Sequence, residues 1–263
     1  MAETEKYNPQ ILAPYGLVVT RSWLLSKGIK RHTLDNWIKS GQLSSLAYGV
    51  YKKPDTKVTW EGIVCSLQYM CCSDLCPGGV TALALQGLGH YSELGKHKTI
   101  HLYGRDALPT WINKLLTDVA FVRHNEGQLF NKSDFLNLDH SAELSWGLSE
   151  WPLRLSSPEK AFFEALLDVP DTISFEYADQ LMQGLVNLSP RRLNKLLEHC
   201  TSIKVRRLFL WFAERHQHAW LKKTDVDCYT MESGLLGSGK RMLAKGGKLD
   251  EKYMITVPEE MHG

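Results

Sequence analysis

The chain has 263 residues, of which 43% are hydrophobic and 23% charged, with a formal net charge of +2. Such a composition is ordinary for one or two globular domains with ample chain to bury a core. No apolar run approaches membrane-spanning length, and the polar start Met-Ala-Glu-Thr-Glu-Lys is unlike a signal peptide, so a cytoplasmic protein with six reduced cysteines is expected.

Charge is concentrated in one early segment. Between Thr20 and Lys53 lie seven Lys or Arg against Asp35 alone, a net +6 in a chain whose total is +2. An asymmetry of this kind marks an electrostatic footprint for nucleic acid. Thr20 is a capping residue for a first helix running through Leu24, Leu25 and Lys27. Gly28 makes a turn, and a second helix is predicted from Arg31 to about Ser40. On that second helix Leu34, Trp37 and Ile38 share the inner face, which leaves His32, Asn36 and Lys39 outward. Thr33 flanks them, and Lys30 and Arg31 stand at the N-terminal end. Past Gly41, Leu43 to Tyr51 reads as two short strands, a wing that carries Tyr48 and leads to Lys52 and Lys53. The candidate DNA-binding set is therefore Lys30, Arg31, His32, Thr33, Asn36, Lys39, Tyr48, Lys52 and Lys53. Asn suits adenine, Arg suits guanine, and Lys or a helix N-terminus holds phosphate. The bland alternative is a basic helical hairpin whose charges are only solvated.

Farther along, Thr59 to Cys72 is predicted helical, Pro77-Gly78-Gly79 breaks it, and Val80 to Leu88 forms another short helix. Cys71, Cys72 and Cys76, followed by His90, His97 and His101, suggest zinc, but no C-x-x-C pair occurs. Cys65 and Cys72 suit a buried helix face, so core cysteine is favoured and no metal is expected. Gly87, Gly89 and Gly95 mark a loop, which sets the expected domains at 1–95, with a DNA-binding core at about 10–53, and 96–263. Thr99–Tyr103 and Val119–Arg123 alternate like strands, with a helix expected around Trp111–Leu116.

From Trp151 on, helix punctuation is clear. Leu153–Leu155 reads as a strand. Ser157-Pro158 then supplies a cap with Pro at the first helical position, and Ser156-x-x-Glu159 fits a capping box one residue earlier. Ser174, Ser189-Pro190 and Ser202 start three more helices, and four helices on short loops make a packed unit. The stretch 188–223 is basic, and Arg191, Arg192, Arg206 and Arg207 are candidates for additional phosphate contacts, against the reading of a solvated face. Gly234 to Lys240 satisfies G-x-x-x-x-G-K. Arg241 replaces the magnesium-binding hydroxyl, however, and no buried strand precedes the motif, so no nucleotide or other cofactor is expected. Asp225-x-Asp227 and Glu176-x-x-Asp179 read as surface and helix-start acids, and no catalytic arrangement has diagnostic spacing.

Several phrases together carry a resemblance. They are the winged helix, Ser156 to Ala161 leading to Leu166-Leu-Asp-Val-Pro170, Ser202 to Leu210, and the ending Gly237-Ser-Gly-Lys-Arg241 with Gly246 to Asp250 and Val257-Pro258. The chain in these respects resembles the AbiEi family, antitoxins and transcriptional autoregulators of abortive-infection, type IV toxin–antitoxin systems. The resemblance covers nearly the whole chain and implies a repressor that binds double-stranded DNA repeats in its own promoter; it places no catalytic motif on these residues, and no enzyme is expected. It also implies opposition to a nucleotidyltransferase-like toxin. The expected fold is α+β, a winged helix-turn-helix domain followed by a larger mixed C-terminal domain with a cluster of helices. The operator repeats admit a homodimer on DNA, and direct contact with the toxin does not follow from the residues. The competing reading makes the C-terminal domain a metal-dependent nuclease or nucleotide-handling enzyme delivered by the winged helix, and a third is a regulator sensing a small ligand.

Overall fold

The computed structural model describes residues 8–89, 98–115, 118–131, 141–147 and 150–262. The expected boundary at 95/96, together with His90, Gly95 and His97, lies outside them. By packing, the chain forms two compact units that interleave along the sequence: 1–76, 93–124 and 142–155 in one, and 77–92, 125–141 and 156–263 in the other. Both mix helices with small sheets, an α+β architecture.

The first unit starts with a short turn of helix, α1 (Pro9–Leu12), and β1 (Val18–Thr20). Next come α2 (Arg21–Ser26) and α3 (Arg31–Lys39), then β2 (Ser44–Ala47) and β3 (Val50–Lys52). Strand β3 lies between β1 and β2, antiparallel to both, with Thr20 opposite Val50 and Ser45 opposite Tyr51. Helix α4 (Trp60–Met70) packs on β1, where the Ser66 hydroxyl accepts the Val18 N–H at 2.9 Å. Gly62 on α4 is a close-approach position, because a Cβ there would stand 2.0 Å from the Gly16 carbonyl oxygen. Helix α4 ends before the cysteine pair, so Cys72 is exposed in a left-handed conformation (φ 52°) rather than buried on a helix face. Cys65 is buried, as its helical position predicts.

A three-stranded sheet, β4 (Cys76–Pro77), β5 (Lys98–Gly104) and β6 (Val119–Asn125), has β5 at its centre. The helix expected at Trp111–Leu116 is a single 3-10 turn, Ile112–Lys114. β7 (Ser141–Leu144) pairs with β8 (Leu153–Ser156).

The second unit is built on helices. α5 (Gly79–Leu85) lies against α6 (Pro158–Leu167), which also packs on α7 (Phe175–Gly184), α8 (Pro190–His199) and α9 (Ile203–His216). The hydroxyls of Ser157, Ser174, Ser189 and Ser202 each accept an N–H in the first turn of their helix. Such caps contribute about 1 kcal/mol each. Phe162, Phe163, Phe175, Phe209, Trp211, Phe212 and Trp220 form the core between these helices. The capping box expected at Ser156 and Glu159 does not form. Glu159 instead accepts the Ser189 N–H at 2.8 Å, tying α6 to the start of α8. β9 (Lys248–Asp250) and β10 (Ile255–Val257) close the chain as an antiparallel pair.

A charged cluster is buried beneath α6. Glu164 is fully buried and accepts from the Gly79 N–H and the Ser156 hydroxyl, each at 2.9 Å. The Lys160 ammonium lies 3.5 Å from Glu164 and 2.6 Å from Glu126. Burial pushes the Glu164 carboxyl up to about 7, against the opposing pull of Lys160.

Candidate nucleic-acid interface

Helix α2 begins where Thr20 accepts the Trp23 N–H at 3.2 Å, and Gly28, at φ 88°, turns the chain into α3. Leu24, Ile29, Leu34 and Trp37 are buried between the two helices and the sheet. Burying such side chains stabilises the unit by roughly 1.5–3 kcal/mol each. Packing of that face holds the other face outward, and His32, Asn36 and Lys39 are exposed at i, i+4 and i+7. Thr33 is half-buried at 3.4 Å from His32. Lys30 and Arg31 are exposed at the start of α3, which no side chain caps, so its first N–H groups face outward.

The wing is tied to both helices. The Arg21 N–H donates to the Gly49 carbonyl at 2.8 Å, while its guanidinium meets Asp35 of α3 at 3.3 Å. Arg21 thus fixes the wing turn against the outward helix. Tyr48, at the tip, is 99% exposed. Lys53 is half-exposed, whereas the Lys52 ammonium donates to the Thr56 carbonyl, so part of its hydrogen-bonding capacity is spent internally. The nine expected residues therefore lie on one helix and its wing, with Lys52 the least available. Sequence reasoning passed over Arg21, whose role is visible only once α2, α3 and the wing are assembled.

The second basic stretch is sorted differently. Arg191 is exposed on α8, and Arg192 faces Glu159 at 3.7 Å. Arg206 and Arg207 are 9% and 0% exposed, which removes them as phosphate contacts. The Arg206 guanidinium donates to the Leu235 and Cys200 carbonyls. Arg207 donates to the carbonyls of Leu236 and Gly239 at 2.8 Å each, Met254 at 3.1 Å and Gly237 at 3.3 Å. The glycine-rich Gly234–Lys240 segment is therefore a carbonyl cradle for a buried guanidinium. No helix follows it, since Arg241 enters a bridge with Ile255. Lys204 is spent in the same way, on the Leu167 and Val169 carbonyls at 2.6 and 2.7 Å.

One acid of each Asp/Glu pair noted in the sequence is engaged. Asp179 holds Arg215 at 3.0 Å and His216 at 2.8 Å, and Asp225 holds Asn194. Among the described residues no three His, Cys, Asp or Glu side chains gather as metal ligands, and no helix is long and apolar enough to cross a membrane.

Comparison with known proteins gives two family matches. Residues 8–94 match the model described as "Transcriptional regulator, AbiEi antitoxin N-terminal domain". Residues 97–258 match "Transcriptional regulator, AbiEi antitoxin, Type IV TA system". No curated protein matches the chain. Among solved structures, the crystal structure of the RV2827C protein from Mycobacterium tuberculosis is similar at a TM-score of 0.50 with 16% identity, over 91% of this chain and 85% of that one. That likeness is one of fold.

Proposed function

Because the chain belongs to the AbiEi family of antitoxins and transcriptional regulators of type IV toxin–antitoxin systems, we propose that it represses its own operon by placing α3 in the major groove of operator DNA. Residues Lys30, Arg31, His32, Thr33, Asn36 and Lys39 supply the groove and phosphate contacts, and the wing residues Tyr48, Lys52 and Lys53 follow the adjacent backbone. The observation that carries this reading is the pairing of an uncapped, basic α3 N-terminus with an outward polar face that Leu34 and Trp37 hold in place. Phosphate affinity and base discrimination then come from different residues of one helix.

Arg191 remains a candidate phosphate contact in the second unit, and Arg192 a weaker one because Glu159 competes for it. The protein acts in the cytoplasm, performs no turnover, and opposes its toxin through the segment that follows the winged helix. Two copies on repeated operator sites fit a helix-turn-helix reader. The nuclease alternative gains nothing from the family match, which describes a regulator.

Fluorescence anisotropy on the promoter fragment at fixed salt tests the placement. Asn36→Ala is expected to cost on the order of 1–3 kcal/mol and to relax discrimination at one base pair. Lys39→Ala should weaken binding to all sequences and flatten the salt dependence. Unchanged operator affinity in both variants would refute α3 as the reading helix.

A further inference from the structure

Arg207 does more than fill the core, because it orients a loop. It draws the carbonyls of Leu236, Gly237 and Gly239 inward. In a planar trans peptide the N–H points opposite to the carbonyl of the same unit. The Gly237 and Gly239 carbonyls therefore turn the N–H groups of Ser238 and Lys240 away from the core. Gly237 and Gly239, at φ 64° and 77°, hold the alternating backbone that makes this possible. Among the described residues neither N–H has a hydrogen-bond partner. The solvent side at Gly239 is open, with no atom within 4 Å of a Cβ built there.

The side chains add charge of one sign. Ser238, Lys240 and Arg241 are exposed, and no carboxylate among the described residues pairs with Lys240 or Arg241. Among the described residues Arg207 beneath them is partnered only by carbonyls, so its charge is solvated but not neutralised. Burial first, and then the nearness of Arg241, push the Arg207 guanidinium below its ordinary value, so the two cations sense each other across the loop. Outward backbone N–H groups, an exposed hydroxyl and flanking cations together make an anion site.

We propose that the Ser238–Arg241 loop binds a phosphate group, through the Ser238 and Lys240 N–H groups, the Ser238 hydroxyl, and the Lys240 and Arg241 side chains. Tetrahedral phosphate oxygens match this donor set, and Arg and Lys beside backbone donors give charge-assisted bonds. The group reaches the loop either as the free ion or as part of a nucleic-acid backbone. This site differs from a nucleotide phosphate loop, because no helix opens after Lys240 and no hydroxyl follows it for magnesium. The inference stands independently of the winged-helix reading.

Amide spectra of the full-length, nitrogen-labelled protein test it, in one titration with inorganic phosphate and in another with a short single-stranded oligonucleotide of arbitrary sequence. The Ser238 and Lys240 amides should move saturably with at least one probe. The double substitution Lys240→Ala with Arg241→Ala should weaken that binding about tenfold or more while leaving the melting temperature unchanged, since both side chains are exposed. A response to inorganic phosphate assigns the free ion, and a response to the oligonucleotide alone assigns the backbone. Amides that stay still with both probes, or binding that survives the double substitution, would overturn the site. So would weakened oligonucleotide binding with motionless Ser238 and Lys240 amides, which would leave only diffuse attraction.

Discussion

Replacing Arg207 with Ala separates a structural arginine from a phosphate-binding one. The guanidinium makes four hydrogen bonds, at 2.8, 2.8, 3.1 and 3.3 Å, to carbonyls at Leu236, Gly239, Met254 and Gly237. Bonds to a charged group contribute about 1.5–3 kcal/mol each, but they do not add, and a loop near the surface recovers part of the loss by rehydrating its carbonyls. Removing a buried charge and leaving its acceptors unpaired costs about 3–5 kcal/mol. Against a typical total of about 5–15 kcal/mol, that is a large share. Arg207→Lys keeps the charge but not the fork, and an ammonium with three donors should leave it about 2 kcal/mol less stable than the wild type. Urea denaturation followed by circular dichroism reads both values. A loss below about 1 kcal/mol for Arg207→Ala, accompanied by weaker operator binding, would refute the cradle and restore Arg207 as a phosphate contact.

Three other perturbations have defined outcomes. The Glu164 carboxyl rises to about 7 in the fold from an ordinary 4.5, so the native state holds the extra proton and stability falls as pH climbs between those values. Glu164→Gln should flatten that fall, worth roughly 3 kcal/mol, in melting curves taken across the range; an unchanged slope would exclude Glu164 as its source. Gly62→Ala places a Cβ 2.0 Å from the Gly16 carbonyl oxygen and should lower stability by several kcal/mol, as overpacking does, with α4 pushed from β1; a shift under about 0.5 kcal/mol would show the contact to be soft. A fragment beginning at residue 96 omits α5, which packs on α6 and whose Gly79 N–H bonds Glu164. It should melt lower, and bind more of a hydrophobic dye, than a fragment beginning at residue 77, and equal behaviour would show α5 to be dispensable.

Local chemistry was legible in the sequence, and tertiary placement was not. Thr20, Ser157, Ser174, Ser189 and Ser202 announce helix starts because capping is decided within one turn, and all five hydroxyls do cap. The outward set on α3 was equally legible, since Leu34 and Trp37 fix the inner face by periodicity alone. Cys72 misled because α4 stops at Met70, two residues short of where its apolar pattern runs out. Glu159 misled because a partner far along the chain, the Ser189 N–H, competes with the local capping box and wins. Arg206 and Arg207 are adjacent on α9, and both lie off the apolar stripe of Val205, Leu208, Phe209 and Phe212 that periodicity marks. Both are buried because the loop at Leu235–Gly239 covers a second side of α9, a contact made about thirty residues later in the chain and invisible to periodicity.

The two basic stretches show why counting charges does not locate an interface. Between 188 and 223 there are nine Lys or Arg against Glu198 and Glu214, a larger excess than the winged-helix segment has. Lys204, Arg206 and Arg207 nevertheless end on backbone carbonyls, and Arg192 and Arg215 face Glu159 and Asp179. A cation turned inward onto fixed carbonyls cannot contact a phosphate directly, so it contributes less to salt-dependent affinity than an exposed one. In the winged helix, among the described residues, only Arg21 and Lys52 are engaged, on the Asp35 carboxylate and the Thr56 carbonyl. Lys30, Arg31 and Lys39 stay exposed along a helix whose other face is pinned by the core. A smaller formal excess thus presents more usable charge, and presents it in a fixed register with Asn36. Register is what a sequence-reading surface requires, because a phosphate contact carries specificity only when it holds a base-reading side chain in place.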